Sequence, residues 1–339
     1  MADPTSRDLS STDPTSTDPT SPDFSSGAYA AGLIQRQTRR LGHLQAEVLA
    51  DRDPEALHQL RVTLRRLRTA LGLFEAALVV PAAVSDRRIA KVARRTGLSR
   101  DLDVMRGQLC STWLPQLPGK EQKTLKPLLR QLSRDRKRAF EGLAHTLRGA
   151  PYLALLAKLQ KWQRSPRFTP IGQLPLRSWL FEWQTRACAD LFLQGGWFAI
   201  DPSDDALHDL RKGLKGVRYS LEYLEPFGHA VLSDWIRDLR KAQDCLGDLH
   251  DLQVLEAALD DYLGRDRRRS LPALQQLIEL QKAQRWGQWL SQAEYQLADD
   301  SRRALQASLL APESPASAPM AADLSQAPSG HAVRSDSHR

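Results

Sequence analysis

Apolar residues recur at three- and four-residue spacing through most of this chain, the pattern of helices that bury one face. The spacing predicts helices near 28–50, 54–78, 84–112, 120–148 and 152–164. Pro166, Pro170, Gly172 and Pro175 then mark a loop. Further helices are predicted near 176–194, 203–225, 230–263 and 270–308. Asp53 before Pro54 reads as an N-cap with proline in the first turn, and Ser203 or Asp204 can cap the later helix. Runs of Val, Ile and Thr are nearly absent, which argues against sheet. The expected fold class is all-α.

The same pattern returns after 150 residues. Residues 56–75 read ALHQLRVTLRRLRTALGLFE and residues 206–225 read ALHDLRKGLKGVRYSLEYLE, identical at nine of twenty positions without a gap. Downstream, Lys91, Gly97, Asp101, Leu102 and Val104 match Lys241, Gly247, Asp251, Leu252 and Val254. An ungapped match across two helices and their connection reads as two copies of one helical unit. The expected organisation is two tandem bundles, residues 28–165 and 166–310, related by a pseudo-twofold.

The ends of the chain look different. Residues 1–27 repeat Asp-Pro-Thr-Ser phrases and carry five aspartates against Arg7, and residues 311–339 are rich in Ala, Pro and Ser. Neither segment has apolar residues to bury, so both are expected to be disordered tails. The tails hold net negative charge while the whole chain is +8, so the body between them is more basic still. Such an excess predicts an anionic partner without choosing among nucleic acid, membrane surface and polyphosphate. Cys110, Cys188 and Cys245 are isolated, which gives no metal or disulfide pattern and suits a reducing cytoplasm. No apolar run reaches the length of a membrane span and no signal-like segment opens the chain, so a soluble cytoplasmic protein is expected.

The candidate chemistry lies on the repeated helix. At 3.6 residues per turn, His58, Arg61, Arg65 and Arg68 fall within a stripe about 80° wide. Leu57, Leu60, Leu64, Leu67 and Leu71 form the adjoining face. The second copy places His208, Arg211, Lys215 and Arg218 beside Leu207, Leu210, Leu214, Val217 and Leu221. Like charges at these spacings repel, and no acid sits within either stripe to offset them. A stripe bordering the core is also partly desolvated, which makes unpaired charge costly. A polyanion relieves both costs. The stripe runs roughly 15 Å along the axis, long for one phosphate and suited to a phosphate chain. Arginine grips phosphate oxygens in pairs and lysine adds a point charge. Imidazoles with ordinary pKa values should add to binding as pH falls toward about 6. Lys91, Arg94, Arg95, Arg237, Arg240 and Lys241 follow on the next helix of each half and widen the basic surface as additional contacts. Asp101 and Asp251 stand at matched positions, as a carboxylate pair or as salt-bridge partners.

HQLRVTLRRLR followed by SRDLDV, and HDLRKGLKGVRY followed by LGDLHDLQV, resemble the CHAD family, the conserved histidine α-helical domain. The resemblance covers about residues 28–308. It implies two helical bundles about a pseudo-twofold and a basic groove or channel lined by both histidine helices. It also implies binding of inorganic polyphosphate at polyphosphate granules. Carried over by position, the binding residues are His58, Arg61, Arg65, Arg68, His208, Arg211, Lys215 and Arg218. The second copy departs from the first at Lys215 and Gly216, where the first has Arg65 and Arg66, and at Gln253 in place of Asp103. These departures imply an asymmetric site. No cofactor, bound metal or catalysis is expected, and granule-associated proteins are expected partners of the tails. The competing readings are a metal-dependent polyphosphate or triphosphate hydrolase and a nucleic-acid binder. The stripes offer cations where phosphoryl transfer needs metal-holding carboxylates. The chain also lacks a helix-turn-helix, a zinc finger and an aromatic stacking platform.

Overall fold

The computed structural model describes residues 24–264 and 267–310. The expected tails lie outside these residues, except that helix α1 (Ser26–Ala50) already begins at Ser26. It is followed by α2 (Pro54–Leu73), α3 (Asp86–Arg95), α4 (Gly97–Gln108), α5 (Gly119–Arg148), α6 (Ala150–Arg164) and α7 (Leu180–Cys188). Then come α8 (Ala206–Leu224), α9 (Ala230–Leu263), α10 (Arg267–Ser270), α11 (Pro272–Leu297) and α12 (Asp299–Leu310). The all-α class is what the periodicity predicts.

Three clusters of buried side chains hold these helices together. The first joins α1 and α2 to the C-terminal half of α5, to α6 and to α7, around Ile34, Leu60, Phe74 and Tyr152. The second packs α8 on the first half of α9 and on α11, around Leu210, Leu239 and Trp289. The third unites α4, the start of α5, the end of α9 and the start of α11, through Leu109, Leu125, Leu259 and Ile278. The two longest helices therefore serve two clusters each. α5 commits Leu125, Leu128 and Leu132 to the third and Leu143 and Leu147 to the first. α9 commits Leu239 to the second and Leu252, Leu255 and Leu259 to the third.

Several predicted helices are broken, each for a local reason. The segment expected to be helical over 84–112 is split at Thr96, whose hydroxyl donates to the Ala93 carbonyl at 2.6 Å and so competes with the next helical turn. Gly97 follows, a weak helix former. In the second copy Leu246 replaces that threonine, and α9 runs through unbroken. α4 then ends in a π-helical turn, Leu109–Trp113. The segment expected over 270–308 is divided at Ala298, where Asp299 and Asp300 supply the first-turn acids of α12. α7 is shorter than predicted because its surroundings divide. Leu176, Leu180 and Trp183 enter the first cluster, whereas Leu191, which opens a 3-10 turn, enters the second. α2 stops at Leu73, and Leu78–Val79 pairs antiparallel with Arg167–Phe168, two-residue strands that the periodicity passes over. Gly172 lies so close to this turn that a Cβ there would sit 2.0 Å from the Ala77 carbonyl oxygen.

The expected cap of α2 is present, whereas the N-cap position of α8 falls to Asp205, which makes no capping bond. The Asp53 carboxylate accepts from the Glu55 N–H at 2.8 Å, with Pro54 in the first turn. At α8 the acceptor is Asp204, bonded to the Ala206 N–H at 2.9 Å. The repeat helices α2 and α8 pack directly on each other. The Arg66 guanidinium meets Glu222 at 2.6 Å, and the Tyr223 hydroxyl donates to the Arg66 carbonyl at 3.0 Å. This contact sets the distance between the two cationic stripes.

Candidate anion-binding site

The stripes face a single cleft of about 860 Å³. α2 contributes Arg61, Arg65 and Arg68, and α8 contributes His208, Arg211, Lys212 and Lys215. Arg94 joins from α3, and His250 and Asp251 from α9. The floor is made of small or apolar groups, among them Ala90, Ala93, Gly97 and Val254. Gln108 on α4 donates to Asp251 on α9 at 3.4 Å and ties the two floor helices together.

The cations are held to different degrees. Arg61 is anchored: its guanidinium donates to the Ala93 carbonyl at 3.2 Å and to the Thr96 hydroxyl oxygen at 3.1 Å. It thereby caps the C-terminus of α3, where positive charge is favoured. Arg68 makes two bonds to Asp86, at 2.6 and 3.0 Å. That pair is exposed, so it contributes little to stability and yields easily to a competing anion. Among the described residues Arg65 and Lys215 have no ion pair. Arg211 has a buried Nε that finds no hydrogen-bond partner. Its environment is the repeat counterpart of Arg61's, but the unbroken α9 leaves no free helix end to cap.

Crowding of like charge shows in the titration of the site. Burial, with Arg211 and Arg65 alongside, pushes the Lys215 ammonium down to about 7, against a smaller opposing pull from Asp251. Burial and the nearby cations also lower Arg61 and Arg211 from the ordinary guanidinium range. His250 is pushed down to about 4 by burial, then by Arg211, His208 and Lys215. Burial and neighbouring cations likewise lower His58 and His208. The imidazoles are therefore neutral at pH 7, and any gain from their protonation lies further below neutrality than ordinary histidines imply. The pH-sensitive group of the cleft is Lys215.

The expected residues do not all reach the cleft. His58 lies half-buried beside it, under the influence of Arg100, and does not line it. Arg218 is 6% exposed and ion-paired with Glu222 one turn on, with Gln243 accepting from its Nε at 3.1 Å and the Tyr219 ring 4.3 Å away. The cause is visible in the repeat: Glu222 stands where the first copy has Gly72, so Arg218 is captured while Arg68 stays at the cleft. Of the six additional cations, Arg94 lines the cleft. Arg237, Arg240 and Lys241 pair with Asp234, Glu222 and Asp238, and Lys91 and Arg95 face a different groove. The stripes are also not free of acids, as the helical wheel alone suggested. Asp86, Asp101 and Asp251 arrive from α3, α4 and α9, and act electrostatically on Arg68, Arg61 and Arg211.

The sequence reading overlooked His250 and Lys212. His250 occupies the position of Arg100 in the repeat, and its ring lies 5.3 Å from that of His208. Its signal was the repeat register itself. Among the described residues no group of three or more His, Cys, Asp or Glu side chains is arranged to hold a metal ion. None of the described helices is long and apolar enough to cross a membrane.

The helical fold is shared with solved structures. The crystal structure of the CHAD domain from the plant Ricinus communis superposes with a TM-score of 0.58 at 20% identity, covering 86% of this chain and 95% of that one. PptA from Streptomyces chartreusis gives 0.55 at 20% identity, covering 83% and 99%. At this identity the likeness concerns the fold. The CHAD domain family model matches residues 32–260, and the chain belongs to that family. No curated protein matches the sequence.

Proposed function

We propose that this protein binds inorganic polyphosphate in the cleft between α2 and α8. The observation that carries this reading is the convergence of Arg61, Arg65, Arg94, Arg211, Lys212 and Lys215 on one cleft with only three aspartates among its lining residues. Of these, Arg65, Arg211 and Lys215 are partly buried and have no ion pair among the described residues, which costs the free protein stability, and a chain of phosphates relieves that cost along its length. Membership of the CHAD family, with the polyphosphate binding that the resemblance implies, supports the same ligand. Association with polyphosphate granules is the corresponding cellular reading, with the protein acting as a binding module.

The reading is tested by titrating long-chain polyphosphate, single-stranded DNA of equal charge and ATP in one buffer. Polyphosphate should bind most tightly. The cleft presents cations without aromatic platforms for bases, and the three phosphates of ATP cannot follow a stripe along its full length of roughly 15 Å. DNA binding equal to or tighter than polyphosphate would count against the assignment.

Proton linkage gives a second check. A bound polyanion returns Lys215 toward the ordinary lysine range, so the complex holds more protons than the free protein at pH values above about 7. Binding at pH 8 should therefore take up protons, and affinity should fall as pH rises from about 7. Calorimetric titration in two buffers of different ionisation enthalpy measures the uptake. Lys215→Met should abolish most of it. The same substitution should stabilise the free protein. With wild-type Lys215 depressed when folded, the unfolded chain binds more protons between about 7 and the ordinary lysine value, so stability rises with pH through that window.

A further inference from the structure

Lys215 differs from the arginines around it in that it can give up its charge near neutral pH. It stands on α8 where the first copy has Arg65, and it lines the cleft. Arg61 and Arg65 on α2 and Arg211 on α8 crowd it with positive charge, opposed by Asp251 on α9. Lys215 in turn acts electrostatically on His208 and His250. Among the described residues its amine has no hydrogen-bond or ion-pair partner. Lys212 lines the same cleft from the same helix, but it is exposed and bonded to Asp209 at 2.9 Å.

Room and reactivity coincide at this amine. The next residue, Gly216, is also part of the cleft lining, and a Cβ there would meet nothing within 4 Å. The cleft is therefore open beside Lys215 and has space for an acyl group. With the ammonium pushed down to about 7, about half of Lys215 is neutral at pH 7, where an ordinary lysine is almost wholly charged. The neutral amine is the nucleophilic form, and desolvation beside other cations is one way to produce it. The same cations suit an anionic leaving group. Arg61, Arg65, Arg94 and Arg211 outnumber the charges of a single phosphate, so a small phosphate-bearing donor leaves surplus positive charge beside the amine.

We propose that Lys215 is a self-acylation site for small acyl phosphates. The arginines seat the phosphate, and the Lys215 Nζ lone pair attacks the acyl carbon. The bond from that carbon to the phosphate oxygen breaks. Phosphate leaves with the electron pair and takes up the proton that the amine loses. The products are an acyl-lysine amide and inorganic phosphate. Acylation removes the charge at position 215 and so weakens the grip of the cleft on polyphosphate. A long polyphosphate does the reverse, because it fills the cleft and returns Lys215 to its charged form, which is not nucleophilic. Arg65, the counterpart in the first copy, stays protonated and does not react. The regulation rests on the polyphosphate binding proposed above, whereas the acylation requires only that the cleft hold a phosphate.

The test uses the full chain, acetyl phosphate as donor, and mass-spectrometric acetyl occupancy at every lysine. Lys215 should be acetylated at least about tenfold faster than Lys212, because its amine is unpaired and loses its proton near pH 7, whereas that of Lys212 is held by Asp209. The Lys215 rate should saturate with acetyl phosphate and level off above about pH 8. Saturating inorganic phosphate or long-chain polyphosphate should each slow it at least about tenfold. Lys215→Arg should keep polyphosphate affinity within about threefold, and Lys215→Gln, which copies the acylated state, should lower it about tenfold. Acetylation of Lys215 no faster than of Lys212 would overturn the inference, whether or not polyphosphate binds. So would a rate that never saturates and is indifferent to inorganic phosphate. Lys215→Gln binding polyphosphate as tightly as Lys215→Arg would overturn the regulation. Selective acetylation that inorganic phosphate blocks and polyphosphate does not would uphold the acylation and count against polyphosphate as the ligand of the cleft.

Discussion

Replacing Arg65 and Arg211 together by alanine is expected to weaken polyphosphate binding by a factor of ten to several hundred while leaving the helical content unchanged. The two residues come from different stripes and act on each other through space, since Arg65 lowers the pKa of Arg211. Neither is tied into the fold among the described residues: Arg65 has no ion pair there, and the buried Nε of Arg211 has no partner. Each charge-assisted contact is worth about 1.5–3 kcal/mol, so losing two in full costs about a hundredfold or more, and about tenfold where neighbouring cations take over part of the contact. Arg61 is a poorer choice, because its bonds to Ala93 and Thr96 hold α3 in place and its removal mixes folding with binding. If one phosphate chain spans both stripes, the single substitutions should not combine additively. Isothermal titration of the two single variants and the double variant checks both points.

Glu222→Ala is expected to destabilise the protein by about 3–5 kcal/mol, the largest stability effect of any single change at this interface. Glu222 is the common acid of three guanidiniums: Arg218 on its own helix, Arg66 on α2 and Arg240 on α9. Its side chain is 9% exposed and that of Arg218 only 7%. Removing the carboxylate leaves Arg218 buried without its counter-ion and leaves Arg66 unpaired at the contact between the two stripes. Chemical denaturation of Glu222→Ala against wild type measures the loss. A change under about 1 kcal/mol would mean that Gln243 and the Tyr219 ring suffice for Arg218. Because this contact sets the spacing of α2 and α8, polyphosphate affinity should fall as well.

The helices and the two stripes were legible in the sequence because both rest on local periodicity. The leucine face of α2 is buried as the wheel requires, with Leu60, Leu64 and Leu67 at 0% exposure. The cleft cations adjoin that face. What periodicity could not give is which neighbour each cation meets. Arg218 and Arg68 are equivalent on the wheel, yet one is buried against Glu222 and the other is at the cleft. The difference was written in the repeat as glutamate against Gly72, an i,i+4 acid one turn from the arginine. The break at Thr96 was equally local but fell inside an unbroken apolar pattern, where hydroxyl competition leaves no mark. Asp86, Asp101 and Asp251 reach the stripes only through tertiary packing, so a single-helix argument was bound to miss them. The division of α3 between two grooves was hidden for the same reason: Arg94 and Arg95 are adjacent in sequence and point to different sides of one helix.

The central claim, that the cleft rather than the general basic surface grips polyphosphate, is tested most directly by a charge-matched comparison. Long-chain polyphosphate is titrated at fixed salt into wild type, Arg65→Ala/Arg211→Ala and Arg237→Ala/Lys241→Ala. Each double variant loses two positive charges, but Arg237 and Lys241 are exposed side chains outside the cleft, paired with Asp234 and Asp238. The account predicts at least a tenfold loss for the cleft pair and less than about a threefold loss for the outer pair. Equal losses, or affinity that survives in the cleft variant, would show that the two stripes are only part of a solvated basic surface.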